Sequence, residues 1–129
     1  MEHISIDDFK KIEARVGTVV VAEVVPDSDK LIRFEIDFGG NAENGGIGRR
    51  QIVSAIREWY PDPAALIGKQ LLFCINLAPR MIRGLESNGM LMAVDGPISS
   101  DDSTANNSTS AAPVFLIPEA PVPNGSAMR

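Results

Sequence analysis

A chain of 129 residues is long enough to bury one hydrophobic core and too short for two independent ones. Apolar residues make up 44% and charged residues 22%, which excludes a disordered polyelectrolyte. The net charge of −5 argues against indiscriminate nucleic-acid binding, because Lys and Arg supply most of the non-specific affinity for phosphate. That charge is uneven: residues 1–48 sum to −5, 49–94 to +3 and 95–129 to −3, so any nucleic-acid surface is expected to draw on the middle segment. Cys74 is the one cysteine, which leaves no intramolecular disulfide, and its setting in LLFCINL predicts a small buried hydrophobe. The opening MEHISIDDFKK has neither a basic n-region nor an apolar h-region, and no apolar run approaches the roughly 18 residues of a membrane span, so a reducing cytoplasmic setting without a membrane partner is expected.

Ser5, with Asp8 three residues on, predicts an N-cap and a short amphipathic helix to about Lys11, with Ile6 and Phe9 facing inward. The run 16–25, VGTVVVAEVV, is rich in β-branched residues without helical period and predicts a long strand ended by Pro26. After the PDSD turn, 31–38 alternates Ile32, Phe34, Ile36 and Phe38 against Leu31, Arg33, Glu35 and Asp37, a half-buried strand with one charged face. GGNAENGGIG predicts a flexible loop, and RQIVSAI a third strand. A Pro-led turn with one helical turn at 64–67, closed by Gly68, precedes LLFCINL, a strand expected to be fully buried, and GMLMAV, the fifth. Five strands with a short helix between the third and fourth predict a small all-β Greek-key barrel. Residues 95–113 are polar, small and acidic and predict a flexible loop, after which VFLIP is expected to dock on the barrel or on a second subunit.

IDDFKKIEARVGTV, DKLIRFEIDFG, RQIVSAI, LIGKQLLFCINLAPRMIRGLESNGMLMAV and PEAPVPNGSAM together resemble the tRNA-binding domain family. That family includes free-standing structure-specific tRNA-binding proteins, the C-terminal appendix of some methionyl-tRNA synthetases, and CsaA-type chaperones. The most specific part is NL-x-P-R-x-x-RG-x-x-S-x-GM. The resemblance implies a five-stranded OB-fold barrel in a single domain, 1–129, with a short N-terminal helix, a core at about 14–94 and a docking extension at 114–129. It also implies a homodimer that uses the N-terminal helix and VFLIP.

The family motif falls on the connection between the fourth and fifth strands, where OB-folds commonly meet oligonucleotides. Pro79 fixes the exit from the strand, Arg80 and Arg83 project from a short connection, and Gly84 permits a tight backbone. Ser87, Gly89 and Met90 would stand at the groove mouth: a hydroxyl for sugar or phosphate, a glycine for close approach, and an adaptable apolar contact for a base. The same Ser-Asn-Gly is equally a plain turn into a strand, with Met90 in the core. Lys30, Arg33, Arg50 and Ser54 complete the expected RNA-binding set with Asn76, which otherwise anchors the loop if buried. Arg50 is preferred over its neighbour Arg49. Ala78 and Met81 stand where many tRNA-binding members carry lysines, and Ala55 where a glycine is usual; each lost phosphate contact lowers the salt slope by about one unit.

Two functions compete. One is a non-enzymatic module that recognises structured tRNA, alone or with an aminoacyl-tRNA synthetase. The other is a CsaA-type chaperone for unfolded secretory peptides, favoured by the acidic charge but disfavoured by the motif this chain keeps. No enzyme, metal or cofactor is expected: His3 is the sole histidine, and neither a phosphate-binding loop nor a dinucleotide fingerprint is present.

Overall fold

In the computed structural model, which describes residues 1–41, 43, 45–97 and 111–129, the β-branched run forms β1 (Ala14–Val24), the longest strand. Its first half pairs antiparallel with β4 (Gln70–Cys74) and its second half with β2 (Ile32–Asp37), so that Thr18 stands opposite both Gln70 and Asp37. A β-bulge between Val19 and Val21 inserts a residue and adds local twist, which bends the strand. The bulge also resets the burial pattern, so Val19 and Ala22 both face the core although they are three residues apart.

Along β2 the period-two alternation is strict: Ile32, Phe34 and Ile36 are buried, while Arg33, Glu35 and Asp37 are half-buried. β3 (Arg49–Ser54) pairs with β2 from Asp37↔Arg49 to Ile32↔Ser54. A 3₁₀ turn at Pro63–Leu66 buries Pro63 and Leu66, and Gly68, at φ +91°, returns the chain to the barrel by donating its N–H to Val19 O. The segment expected as the fifth strand divides at Met92 into β7 (Met90–Leu91) and β8 (Ala93–Pro97). The five-stranded sheet therefore runs β3-β2-β1-β4-β7 and curls until its two edges meet, Asn88 N–H donating to Gln51 O at 2.8 Å. Inside sit Val19, Ile32, Phe34, Ile36, Ile52, Leu71 and Phe73, with Phe38 packed edge-on to Phe73 at 5.5 Å.

Several elements differ from the sequence expectation. Ser5 Oγ does accept the Asp8 N–H, capping α1 (Ile6–Phe9), but this four-residue helix buries nothing: Ile6 is 64% and Phe9 40% exposed. One turn of helix is too short to lay an apolar stripe on the barrel. The motif region between β4 and β7 is a hairpin, β5 (Arg80–Ile82) and β6 (Leu85–Ser87), instead of a plain connection. Of the stretch expected as a polar loop, 98–110 lies outside the described residues, while 95–97 and 111–113 pair in the hairpin of β8 with β9 (Ala111–Phe115). Tyr60 fastens that hairpin to the barrel: its ring stacks on Phe115 at 4.6 Å and its hydroxyl donates to Pro113 O at 2.7 Å, and burial pushes the phenol pKa up.

β4 ends at Cys74, which is buried; Asn76 and Leu77, read as part of a fully buried strand, are exposed beyond it. The C-terminal segment runs along the outside of β1 and β4. Leu116 O accepts from Leu72 N–H, Gly125 N–H donates to Val16 O and Met128 N–H to Ala14 O. Gln70 grips the segment twice, accepting from Val122 N–H at 3.1 Å and donating to Val122 O at 2.7 Å.

Candidate nucleic-acid interface

The β5–β6 hairpin is built on a two-residue turn, Arg83-Gly84, whose residues have φ +53° and +79°. Two left-handed residues give the turn the twist of the flanking strands, and the glycine adopts it without penalty. Arg83 adopts it at a cost and is thereby held at the tip, its Nη1 3.5 Å from Asp27 O. Beneath the tip, Ile82 and Leu85 pack on a second small core of Val25, Leu31 and Val53, which ties the hairpin to the β1–β2 loop.

From Ser87 the chain turns back towards β7. Ser87 is 4% exposed; its Oγ accepts the Val53 N–H at 3.0 Å and donates to Gly89 O at 3.4 Å. Gln51 Nε2 donates to Glu86 O at 2.9 Å. These side chains, with the Asn88–Gln51 backbone bond, join the two edges of the curled sheet. Gly89 is needed for packing: a Cβ there would lie 2.9 Å from Ile52 Cδ1 and 3.2 Å from Cys74 O, at φ +140°. Both residues therefore hold the site together from below as well as lining it.

Two open clefts result. One, of about 390 Å³, has walls from Leu31, Val53 and Ser54 on one side and Met81 and Ile82 on the other. The second, of about 330 Å³, lies against Leu77, Ala78, Pro79 and Ser87. Arg80, Gly89 and Met90 line both, so they form the partition between them. Met81 is 66% and Met90 49% exposed, and the Arg80 guanidinium makes no hydrogen bond or ion pair among the described residues. Among the described residues, neither cleft is lined by His, Cys, Asp or Glu. Glu86 stands opposite Met81 in the hairpin, so the rim is not uniformly basic.

The clefts gather Ser54, Arg80, Ser87, Gly89 and Met90 from the expected set, with Lys30 exposed beside the wall residue Leu31. The remaining members are engaged elsewhere. Arg33 bonds Glu23 at 2.8 Å and Glu35 at 3.1 Å, and the hydrogen bond to Glu23 leads the causes that raise its pKa. Arg50 Nη1 donates to Ile75 O at 2.6 Å, tying β3 to the end of β4, whereas Arg49 is exposed. Asn76 anchors the N-terminal segment, donating to Lys11 O at 2.6 Å and accepting the Glu13 N–H at 2.9 Å. The apolar walls Leu31, Val53, Met81, Ile82 and Leu77 were not foreseen. For Met81 and Ile82 the one signal was Gly84, a residue suited to the second position of a two-residue hairpin turn.

Residues 14–127 match the family described as "Putative tRNA binding domain". The chain belongs to the tRNA-binding domain family. Among curated relatives, this tRNA-binding domain is 49% identical to the methionine–tRNA ligase of Xylella fastidiosa (strain M23) over 90 residues, 70% of the chain but 12% of the ligase. It is 45% identical to that of Enterococcus faecalis over 96 residues, 74% of the chain and 14% of the ligase. The chain thus spans a small fraction of the length of the curated relatives it matches. Among solved structures, the domain is similar to a MetRS-related protein of Pyrococcus horikoshii, with TM-score 0.78 and 31% identity over 100% of both chains. It is also similar to the chaperone CsaA of Bacillus anthracis str. Ames, with TM-score 0.73 and 27% identity over 99% of this chain and 100% of the other.

Proposed function

We propose that this tRNA-binding domain is a non-catalytic module that binds structured tRNA in the cytoplasm, as a homodimer and in association with an aminoacyl-tRNA synthetase. The observation that carries the reading is the Arg80 guanidinium, without hydrogen bond or ion pair among the described residues, standing with Met90 between two open clefts on the most basic segment of an acidic chain. Paired surface cations such as Arg33 bring little net attraction for phosphate, so the cations at or near the clefts, Arg80, Arg83 and Lys30, would supply it. The absence of acids, histidine and cysteine from the lining of both clefts supports a binding role over acid–base or nucleophilic chemistry. Likeness to the methionine–tRNA ligases supports the synthetase connection.

Filter binding of total tRNA against salt concentration tests the proposal. Binding at low ionic strength that weakens steeply with salt is expected, with the Arg80→Ala, Arg83→Ala double variant losing about one to two units of the log–log slope. No binding at low ionic strength, or binding indifferent to the double substitution, overturns it.

The likeness to CsaA and the exposed Met81, Met90 and Leu77 favour a second reading, a chaperone whose clefts take apolar side chains of an unfolded chain. Displacement of bound tRNA by an unfolded signal-bearing peptide, together with tighter binding of that peptide, would reverse the order of the two.

A further inference from the structure

Two clefts of similar size on either side of one partition are an unusual way to meet a folded RNA. A site that recognises only shape and backbone needs a basic surface, not cavities. Each cleft falls near the small end of the size range of small-molecule sites, about 300–1,000 Å³. A paired duplex cannot enter such a space, because its bases are stacked inside the helix; an unpaired nucleotide can.

Met90 presents a polarizable apolar side chain to both clefts, and Arg80 presents to both a positive charge that has no partner among the described residues. Two occupants that straddle this ridge would each need a flat or apolar body, with one negative charge on the link between them. Two consecutive unpaired nucleotides have that form: two bases with a π-face and the phosphate that joins them. A peptide has no fixed anion at this interval, and a lone mononucleotide leaves one cleft empty. Resting on the tRNA-binding reading above, we infer that the paired clefts take two consecutive unpaired nucleotides of the RNA, one base on each side of Met90, with Arg80 at the linking phosphate.

The division of labour is then different at each position. Met90 acts by apolar and sulfur–π contact with a base, which is tolerant of sequence and independent of salt. Arg80 acts by displacing counterions, so its contribution appears in the salt slope. Leu31, Val53 and Ile82 wall the first cleft and Leu77 with Pro79 the second, which keeps both base faces out of water.

Competition against labelled total tRNA tests this, using a short single-stranded RNA of mixed sequence and a blunt RNA duplex as competitors. The single strand is expected to displace tRNA, the duplex to do so at least tenfold less well. Met90→Ala is expected to weaken single-strand and tRNA binding about two- to tenfold with the salt slope unchanged. Arg80→Ala is expected to reduce the single-strand slope by about 0.7. Both side chains are exposed, so neither substitution removes core packing, and Met81→Ala supplies a second test of the first cleft. Equal competition by duplex and single strand, or unchanged affinity in both methionine variants while the unaltered protein binds tRNA, overturns the two-nucleotide site and leaves the tRNA reading standing. Failure of the unaltered protein to bind tRNA at low salt overturns both, and preferential capture of an unfolded peptide overturns them in favour of the chaperone.

Discussion

Ser87 accepts the Val53 amide hydrogen where water barely reaches, and returns its own proton to Gly89 O. Removing the hydroxyl leaves a buried N–H without a partner, which costs about 1–3 kcal/mol. Ser87→Ala is therefore expected to lower unfolding free energy by that amount in a denaturant titration and to speed hydrogen exchange at the Val53 amide. A hydroxyl that served only as an RNA contact would leave both unchanged. The residues of the family motif thus divide by depth: Ser87 and Gly89 set the partition in place, while Arg80 and Met90 form its exposed crest. Nothing local in SNGM distinguishes these roles. The partner of Ser87 is 34 residues away in the chain, so its burial depends on how β3 and β6 meet.

At the scale of elements, the β5–β6 hairpin holds an arginine where its own turn geometry favours asparagine or glycine. A bulky residue in the left-handed region is strained by about 1–2 kcal/mol, and such strain persists where another demand is placed on the side chain. Arg83→Asn is expected to raise the thermal midpoint by about 2–4 °C, while weakening tRNA binding and lowering the salt slope by about one unit. Calorimetry and filter binding on the same preparation check the pair of effects; a stabilised variant with unaltered RNA affinity would assign Arg83 no part in binding. The strands themselves were legible. Ile32, Phe34 and Ile36 alternate with charged neighbours over six residues, and that period survives in the burial of β2. The short hairpin was less so, since three-residue strands offer too few positions for a period to register.

Across the whole molecule, charge pairing decides what remains available to a partner. In the middle segment Arg50 is held by Ile75 O and Arg57 by Ser28 O, and on β2 Arg33 is offset by two glutamates, so these three guanidiniums are already engaged within the fold. Apolar surface is left over as well: Ile4 and Ile6 at the N-terminus are each 64% exposed and Ile117 in the C-terminal segment 65%. Two-fold association would cover such surface and present two copies of the clefts to one folded RNA. A dimer is accordingly expected in sedimentation velocity at micromolar concentration, with Ile117→Asp shifting it to monomer; a monomeric unaltered protein would count against the proposed assembly.

The all-β class, the chain order of the main strands, the helix cap and the buried cysteine are written in the local sequence, because each depends on residues within a few positions of one another. It also carried the family motif. Folding alone settles which cations are paired, which motif residues lie inside, and that Leu31, Val53, Arg80 and Met90 line a common space. Those facts depend on contacts between strands distant in the chain, fixed by the bulge in β1 and the closure at Ser87, whose partner lies 34 residues away.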